Sequence, residues 1–140
     1  MKLLTILIFL FISVNSFAQQ TDTLHCKSGL KYIKLKDGDG VTLKVGQTAK
    51  VKYVGKLYNG EIFDGFDDGA VFMYKIGDPD YIQGWAEGFQ LMSKGEKGIL
   101  IVPPFLAYGT KGASDPFGEK EYLVPPNATI IFEVEILNVK

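Results

Sequence analysis

Apolar and polar residues alternate in several stretches of the chain, and this two-residue period predicts β-strands. The clearest stretch is residues 47–57, in which lysines alternate with apolar side chains. Residues 128–137 alternate as regularly, and weaker strand patterns cover residues 30–36 and 71–76. A short apolar run at residues 98–102 is typical of a buried strand. Most of the domain is therefore expected to be a sheet.

One stretch changes to the period of a helix. Trp85, Phe89 and Met92 stand at positions i, i+4 and i+7, which predicts one face of a short helix beginning near Gln83. No other stretch after the N-terminal segment has this period. The pattern therefore predicts an α+β fold, an antiparallel sheet of about five strands wrapped on one short helix.

Turn residues separate these elements. Asn59-Gly60 predicts a tight hairpin into a return strand at residues 62–64, because both turn residues tolerate positive φ. Residues 37–40 (Asp-Gly-Asp-Gly) are predicted as a turn, since the spacing and the terminal Glu of a calcium-binding EF-hand loop are missing. Residues 103–126 show no convincing period, and long loops of this kind are often functional.

The first 18 residues have the three parts of a secretory signal peptide. Lys2 provides a positive start, and residues 3–14 form a nearly unbroken apolar run. Small residues at positions 16 and 18 favour cleavage before Gln19. The run is too short for a comfortable membrane span, although an uncleaved anchor helix is the alternative. We expect an exported protein, periplasmic or secreted, with no stable membrane insertion after signal cleavage.

The remaining chain is predicted to form a tail and one domain. Residues 19–28 are polar and predicted as a flexible N-terminal tail, and residues 29–140 suffice for one domain. Cys26 is the only cysteine, so no disulfide can form within the chain. His25 is the only histidine, so neither an ordinary zinc set nor a Ser-His or Cys-His pair can be assembled. No metal and no cofactor are predicted.

Charge argues against a nucleic-acid partner. The chain has 15 basic and 16 acidic residues, a net charge of −1, and every basic residue is lysine. Nucleic-acid surfaces require clustered cations, which a near-neutral chain does not suggest. The absence of arginine also removes the usual side chain for bidentate binding of phosphate or carboxylate.

Aromatic side chains are the main candidates for a site. Core packing explains most such residues, but several on one sheet face can form a concave apolar pocket with a few hydroxyls, suited to an apolar ring or a proline. Asp64 is an unexpected carboxylate in an apolar hairpin arm, and it either forms a local hydrogen bond at a strand end or lines such a pocket. The aromatic residues at strand and loop positions are Tyr53, Phe63, Phe72, Trp85, Phe105, Tyr108 and Phe132.

Three blocks of sequence resemble the FKBP-type peptidyl-prolyl cis-trans isomerases. Residues 51–64 (VKYVGKLYNGEIFD) resemble the family signature VxYxGxL…GxxFD. Residues 82–109 contain IQGWAEG, then Gly-Glu and Ala-Tyr-Gly, as the second block of the family does. Residues 124–137 (VPPNATIIFEVEIL) are similar to the third block. The blocks occur in family order, and three together make a chance match very improbable.

The resemblance implies a half-open antiparallel sheet of five to six strands around one short α-helix, with a proline pocket between them. It implies a catalytic set with Trp85 as pocket floor, Tyr53 and Phe132 as walls, the Ile82 backbone as an edge donor, Tyr108 as the hydroxyl on the substrate and Asp64 as the pocket carboxylate. It also implies a substrate-binding set of Phe63, Phe72, Tyr81, Leu123 and Val124.

The sequence departs from the family pattern in three places. Tyr81 stands where an aliphatic residue is common, which predicts a bulkier and more polar rim. No arginine exists to pair with Asp64, as a basic residue does in many members. Residues 115–122 lengthen the segment before Pro125, and Leu123 and Val124 match the apolar flap contacts only approximately.

The leading hypothesis is a peptidyl-prolyl cis-trans isomerase that accelerates X-Pro bond rotation in exported polypeptides during folding. Its partners would be proline-containing unfolded or nascent chains, and the resemblance extends to macrolide inhibitors. The alternative is a proline-binding or chaperone module with the same pocket and little turnover. A carrier of a small apolar ligand is disfavoured, because the chain is too short for a wide closed barrel.

Overall fold

The computed structural model of the protein describes residues 22–65 and 71–140. The predicted signal peptide, residues 1–18, lies outside the described residues. Among the helices that are described, none is long and apolar enough to cross a membrane.

The described chain is a seven-stranded sheet with antiparallel pairing, a small two-stranded sheet and one α-helix. The strand order of the large sheet is β1-β2-β6-β9-β3-β4, and β5 also pairs with β3. This architecture confirms the predicted α+β class. The strands of the large sheet are β1 Thr23–His25, β2 Lys31–Lys36, β3 Thr48–Leu57, β4 Ile62–Gly65, β5 Phe72–Lys75, β6 Lys97–Val102 and β9 Ile130–Val139. Those of the small sheet are β7 Ala113–Ser114 and β8 Tyr122–Val124.

The hydrophobic periods indicated the buried faces correctly. In β9, the alternate side chains Ile130, Phe132, Val134 and Ile136 are all buried. The helix, α1 (Gln83–Phe89), forms the other side of the core, where its Trp85 and Phe89 side chains are buried. Met92, the third residue at the predicted helical spacing, is also buried but lies beyond the last turn of the helix.

Two segments without a predicted element contain short strands. Within the predicted tail, β1 pairs with the edge of β2, with Thr23 opposite Ile33. The long loop after β6 contains a 3₁₀ turn at Pro104–Leu106 and the β7–β8 pair. Strands of two or three residues are too short to produce a recognisable period, which is why the pattern did not predict them.

A buried carboxylate connects the segment before β6 to β2. The Glu96 side chain is only 2% exposed. It accepts a hydrogen bond from the Tyr32 hydroxyl on one oxygen. The other oxygen accepts from the Ser93 backbone N–H at 3.0 Å and the Ser93 hydroxyl at 2.7 Å. Gly98 lies against the Tyr32 ring, and a Cβ there would collide with it.

Candidate active site

A cleft lies where the start of α1 meets β3, β4 and β9, and it encloses about 110 Å³. Exposed side chains of Asp64, Asp80 and Tyr81 form its rim. Six of the lining residues belong to the predicted catalytic set, and a seventh, Tyr81, belongs to the predicted substrate-binding set. The lining residues are Tyr53, Asp64, Asp80, Tyr81, Ile82, Trp85, Tyr108 and Phe132.

Trp85 forms the closed end of the cleft. It stands in the first turn of α1 and is only 3% exposed. The Tyr53 and Phe132 rings meet the Trp85 ring edge-on, with centroids at 4.9 and 5.3 Å. Tyr81 lies parallel to it at 5.7 Å. The helix approaches the sheet closely because Gly84 has no Cβ, and a Cβ there would collide with Val102.

The indole N–H of Trp85 is buried without a hydrogen-bond partner among the described residues. A buried donor of this kind costs free energy, on the order of 1–3 kcal/mol. The described side chains around the Trp85 ring therefore provide apolar contact and no hydrogen-bond acceptor for its indole N–H.

Tyr53 and Asp64 form the polar side of the cleft. β3 and β4 pair with Gly55 opposite Asp64, which brings the two side chains together. The Tyr53 hydroxyl donates to Asp64 Oδ2 at 3.0 Å, and Asp64 Oδ1 accepts from the Gly65 backbone N–H at 2.8 Å. Burial, and then the charge of Asp64, raise the pKa of Tyr53 above its ordinary value. Tyr53 therefore remains a donor, and it supplies a partner to Asp64 in a chain that has no arginine.

Tyr108 also lines the cleft, two residues beyond the 3₁₀ turn. Its ring meets the Phe63 ring edge-on, with centroids 6.2 Å apart. Burial, and secondarily the charge of Asp64, raise the pKa of Tyr108. Its hydroxyl therefore stays protonated at neutral pH and can donate a hydrogen bond.

Phe63 and Phe72 support the lining rings from behind. Phe63 contacts the Phe132 ring at 5.8 Å, and Phe72 contacts the Tyr53 ring at 5.9 Å. Gly55 makes room for this wall, because a Cβ there would lie 2.8 Å from Phe132 and 2.9 Å from Phe63. Neither Phe63 nor Phe72 lines the cleft itself.

The predicted flap contacts lie elsewhere. Val124 is 1% exposed, packs in the core and does not line the cleft. Leu123 is half-buried and does not line the cleft. Sequence reasoning missed Asp80, although its position directly before Tyr81 was a usable signal. It also missed the buried role of Glu96, for which no local pattern exists.

The lining is aromatic and carboxylate-bearing, and the Tyr53 and Tyr108 hydroxyls can act as donors. Across residues 22–65 and 71–140, no three His, Cys, Asp or Glu side chains are grouped so that they could hold a metal ion. The chemistry available in the cleft is therefore apolar contact and hydrogen bonding from these side chains and the adjacent backbone.

Comparison with known proteins identifies relatives of similar sequence. FK506-binding protein 2 of Dictyostelium discoideum is 38% identical over 137 residues, covering 97% of this chain and 95% of that protein. A probable FKBP-type peptidyl-prolyl cis-trans isomerase of Haemophilus influenzae is 40% identical over 124 residues, covering 88% of this chain. The chain spans only 48% of the Haemophilus protein, and 32% and 24% of two proteins named FK506-binding protein 4.

A solved structure has the same fold. The crystal structure of a peptidyl-prolyl cis-trans isomerase from Pseudomonas syringae pv. tomato superposes with a TM-score of 0.72 and 29% identity, covering 84% of this chain and 80% of that chain. The family model described as FKBP-type peptidyl-prolyl cis-trans isomerase matches residues 40–137, which include every lining residue of the cleft. The chain belongs to the FKBP-type peptidyl-prolyl cis-trans isomerase family.

Proposed function

We propose that this protein is an exported peptidyl-prolyl cis-trans isomerase that accelerates rotation about X-Pro bonds in folding polypeptides. The observation that carries the proposal is the cleft over Trp85, where apolar rings surround a small volume and Tyr53, Tyr108 and Asp64 supply polar groups. A prolyl ring needs an apolar pocket of this kind, and the flanking peptide groups need hydrogen-bond partners at its rim.

Rotation about an X-Pro bond needs no covalent chemistry. The barrier of roughly 18–20 kcal/mol comes from resonance between the amide nitrogen and the carbonyl. The twisted transition state loses this resonance and is less charge-separated than the planar amide. A dry aromatic pocket therefore favours the twisted form over the planar one. Catalysis by this route is differential binding of the transition state.

Each lining residue has a role in this mechanism. Trp85 and Phe132 hold the prolyl ring by apolar contact, so the ring stays in place while the rest of the chain rotates. The Tyr108 hydroxyl and the Ile82 backbone N–H donate to substrate carbonyls and fix the rotation axis. Asp64, oriented by the Tyr53 hydroxyl, provides polar support at the side of the cleft.

A protease-coupled assay on a short X-Pro peptide tests the proposal. Wild-type protein should accelerate isomerisation, and Phe132→Ala and Asp64→Ala should each lower kcat/KM at least tenfold, since they remove the apolar wall and the carboxylate. A wild-type protein that binds the peptide without accelerating it would instead indicate a proline-binding or chaperone module with little turnover.

Two finer proposals accompany this one. The composition of residues 1–18 supports their removal on export, leaving the domain of residues 29–140 after a short N-terminal segment. N-terminal sequencing of the protein recovered from a periplasmic or secreted fraction should begin at Gln19. The Dictyostelium relative is named an FK506-binding protein. We expect FK506 to inhibit this protein too, competitively with the peptide.

A further inference from the structure

We infer that a short turn before the matched family region positions the two elements that carry Trp85 and Tyr108. We call this turn, residues 26–30, the N-terminal turn. It contacts α1 through Ser28 and the 3₁₀ turn through Gly29. The family model begins at residue 40, so the N-terminal turn lies outside the region that it matches. The inference rests on the proposed function, because it names positioning residues for the reaction in the cleft.

The N-terminal turn has a defined conformation. The Cys26 backbone N–H donates to the Leu30 carbonyl at 2.9 Å, and the Gly29 N–H donates to the Cys26 carbonyl at 3.0 Å. Gly29 has a φ of +90°, a left-handed conformation that glycine adopts without strain. Leu30 is fully buried. The turn is therefore fixed to the core, and it presents Ser28 from a defined position.

Ser28 connects this turn to the helix that forms the closed end of the cleft. Its hydroxyl donates to Glu87 Oε1 at 2.6 Å, and Glu87 lies two residues after Trp85 in α1. A helix of this length is not stable by itself, and its N-cap residue, Ile82, provides no side-chain hydrogen bond. The position of α1 therefore depends on tertiary contacts, and the Ser28–Glu87 hydrogen bond is one of them.

The Cys26 thiol lies beside the same carboxylate. Burial raises the pKa of Cys26, and the charge of Glu87 and a hydrogen bond to its side chain raise this pKa further. Two side chains of the N-terminal turn thus meet one side chain of α1. The contact between the turn and the helix is therefore broader than a single hydrogen bond.

Gly29 connects the N-terminal turn to the segment that carries Tyr108. A Cβ on Gly29 would lie 3.3 Å from the Phe105 ring, so the backbone of the turn packs against this ring. The Gly109 N–H donates to the Pro104 carbonyl at 2.8 Å, which connects the residue after Tyr108 to the 3₁₀ turn. A displacement of the N-terminal turn would therefore also affect the position of Tyr108.

The two elements that the N-terminal turn contacts also meet each other. A Cβ on Gly84, at the start of α1, would lie 3.2 Å from the Leu106 carbonyl oxygen of the 3₁₀ turn. The three segments thus form one packed unit that carries Trp85 and leads to Tyr108. Small displacements of catalytic groups lower the rate strongly, because transition-state stabilisation depends on their alignment. A loosened N-terminal turn should therefore lower kcat more than it changes KM.

Removal of the Ser28 hydroxyl tests the inference. In Ser28→Ala, kcat for a short X-Pro peptide should fall about threefold, with KM little changed. The fluorescence emission of the folded protein should also shift, because Trp85 is the only tryptophan of the chain. Ser28→Thr keeps the hydroxyl and should retain both wild-type values. Thr23→Val is the matched control, since it removes a hydroxyl from β1, opposite Ile33, and should change neither value.

The outcomes are distinct. Unchanged kcat and emission in Ser28→Ala would overturn the inference, and a lower urea midpoint alone would assign the hydrogen bond to stability only. An equal loss in Ser28→Thr would also overturn it, because the hydroxyl would not be responsible. Failure of the wild type to accelerate the peptide would overturn the proposed function instead, while the emission of Trp85 would still test the positioning.

Glu87→Ala tests the partner of the hydrogen bond. Alone, it should lower kcat about threefold, as Ser28→Ala does. The double variant should also lose about threefold, because both substitutions remove the same interaction. If the two losses multiplied in the double variant, Ser28 and Glu87 would act independently, and the inference would be wrong.

The single cysteine tests the same contact independently of activity. Iodoacetamide reacts with the thiolate, so a carboxylate beside Cys26 slows the reaction. Glu87→Gln should therefore speed the alkylation of Cys26 in the folded protein about threefold. Glu135→Gln removes a carboxylate from β9 and should leave the rate unchanged. An unchanged rate in Glu87→Gln would contradict the position of the N-terminal turn against α1.

Discussion

Two tyrosine–carboxylate pairs in different regions of this protein have the same chemistry and different surroundings. At the cleft, the Tyr53 hydroxyl donates to Asp64, whose side chain is exposed. Next to β6, the Tyr32 hydroxyl donates to Glu96, which is buried. Asp64 accepts otherwise from its neighbour Gly65, so its oxygens remain open to a ligand. Those of Glu96 are occupied by Tyr32 and Ser93.

The difference shows that two properties of the carboxylate decide the role of such a pair. They are its burial and the number of hydrogen bonds that its oxygens already accept. A buried carboxylate whose oxygens already accept hydrogen bonds joins segments of the fold, and its loss leaves donors without partners. An exposed carboxylate contributes little to stability but can still bind another molecule. We therefore expect matched substitutions in the two regions to separate stability from activity.

The largest difference should follow removal of each carboxylate. Glu96→Ala should lower the free energy of unfolding by about 3 kcal/mol, because it leaves the buried donors of Tyr32 and Ser93 without an acceptor. Asp64→Ala should change it by less than about 1 kcal/mol, with the loss appearing in kcat/KM. Urea unfolding and the protease-coupled assay measure the two effects. Comparable destabilisation by both variants would contradict the comparison.

Each region also depends on a glycine that makes room for a ring. Gly98→Ala should destabilise by about 2 kcal/mol, the usual cost of overpacking, because the new methyl group would collide with the Tyr32 ring. Gly55→Ala would displace Phe63 and Phe132, so kcat/KM should fall about tenfold. Full activity in Gly55→Ala would rule out its positioning role.

Removing only the tyrosine hydroxyls should give smaller effects. Tyr32→Phe leaves buried Glu96 without one donor and should lower stability by about 1.5 kcal/mol. Tyr53→Phe leaves Asp64 to water, so stability should change by less than about 0.5 kcal/mol while kcat/KM falls about threefold. Urea unfolding and the protease-coupled assay measure these effects. A larger loss of stability in Tyr53→Phe than in Tyr32→Phe would contradict the assignment of Tyr32 to stability and of Tyr53 to activity.

The smallest expected effect is alkaline destabilisation. Burial and the neighbouring carboxylates raise the pKa of Tyr32 and Tyr53 above the ordinary value of 10.0. Well below pH 10 both tyrosines are protonated in the folded and unfolded states, so their contribution is complete. As the pH rises further the unfolded chain loses protons first, and stability falls, by about 0.4 kcal/mol per tyrosine at pH 10. Urea midpoints between pH 8 and 10.5 should show this fall, reduced in Tyr32→Phe and Tyr53→Phe. A midpoint that rises with pH would refute the sign.

Local patterns predicted the regular elements well. The alternation at residues 47–57 and 128–137 corresponds to β3 and β9, because a strand with one buried face must alternate. The helical spacing of Trp85 and Phe89 likewise identified α1. The three ordered motifs predicted six residues that the cleft brings together, whereas Leu123 and Val124 were carried over across a lengthened segment and lie outside the lining.

By itself, the sequence determined the fold class, the family and the identity of most cleft residues, since each is encoded in periods and motifs within short stretches. Only the tertiary structure decided which carboxylates are open and which are buried. Tyr53 and Asp64 are 11 residues apart, and Tyr32 and Glu96 are 64 apart. The burial of a polar side chain depends on what distant segments pack against it. A glutamate that looks solvated in its local sequence can therefore hold the core together, while a similar carboxylate at a strand end borders the cleft.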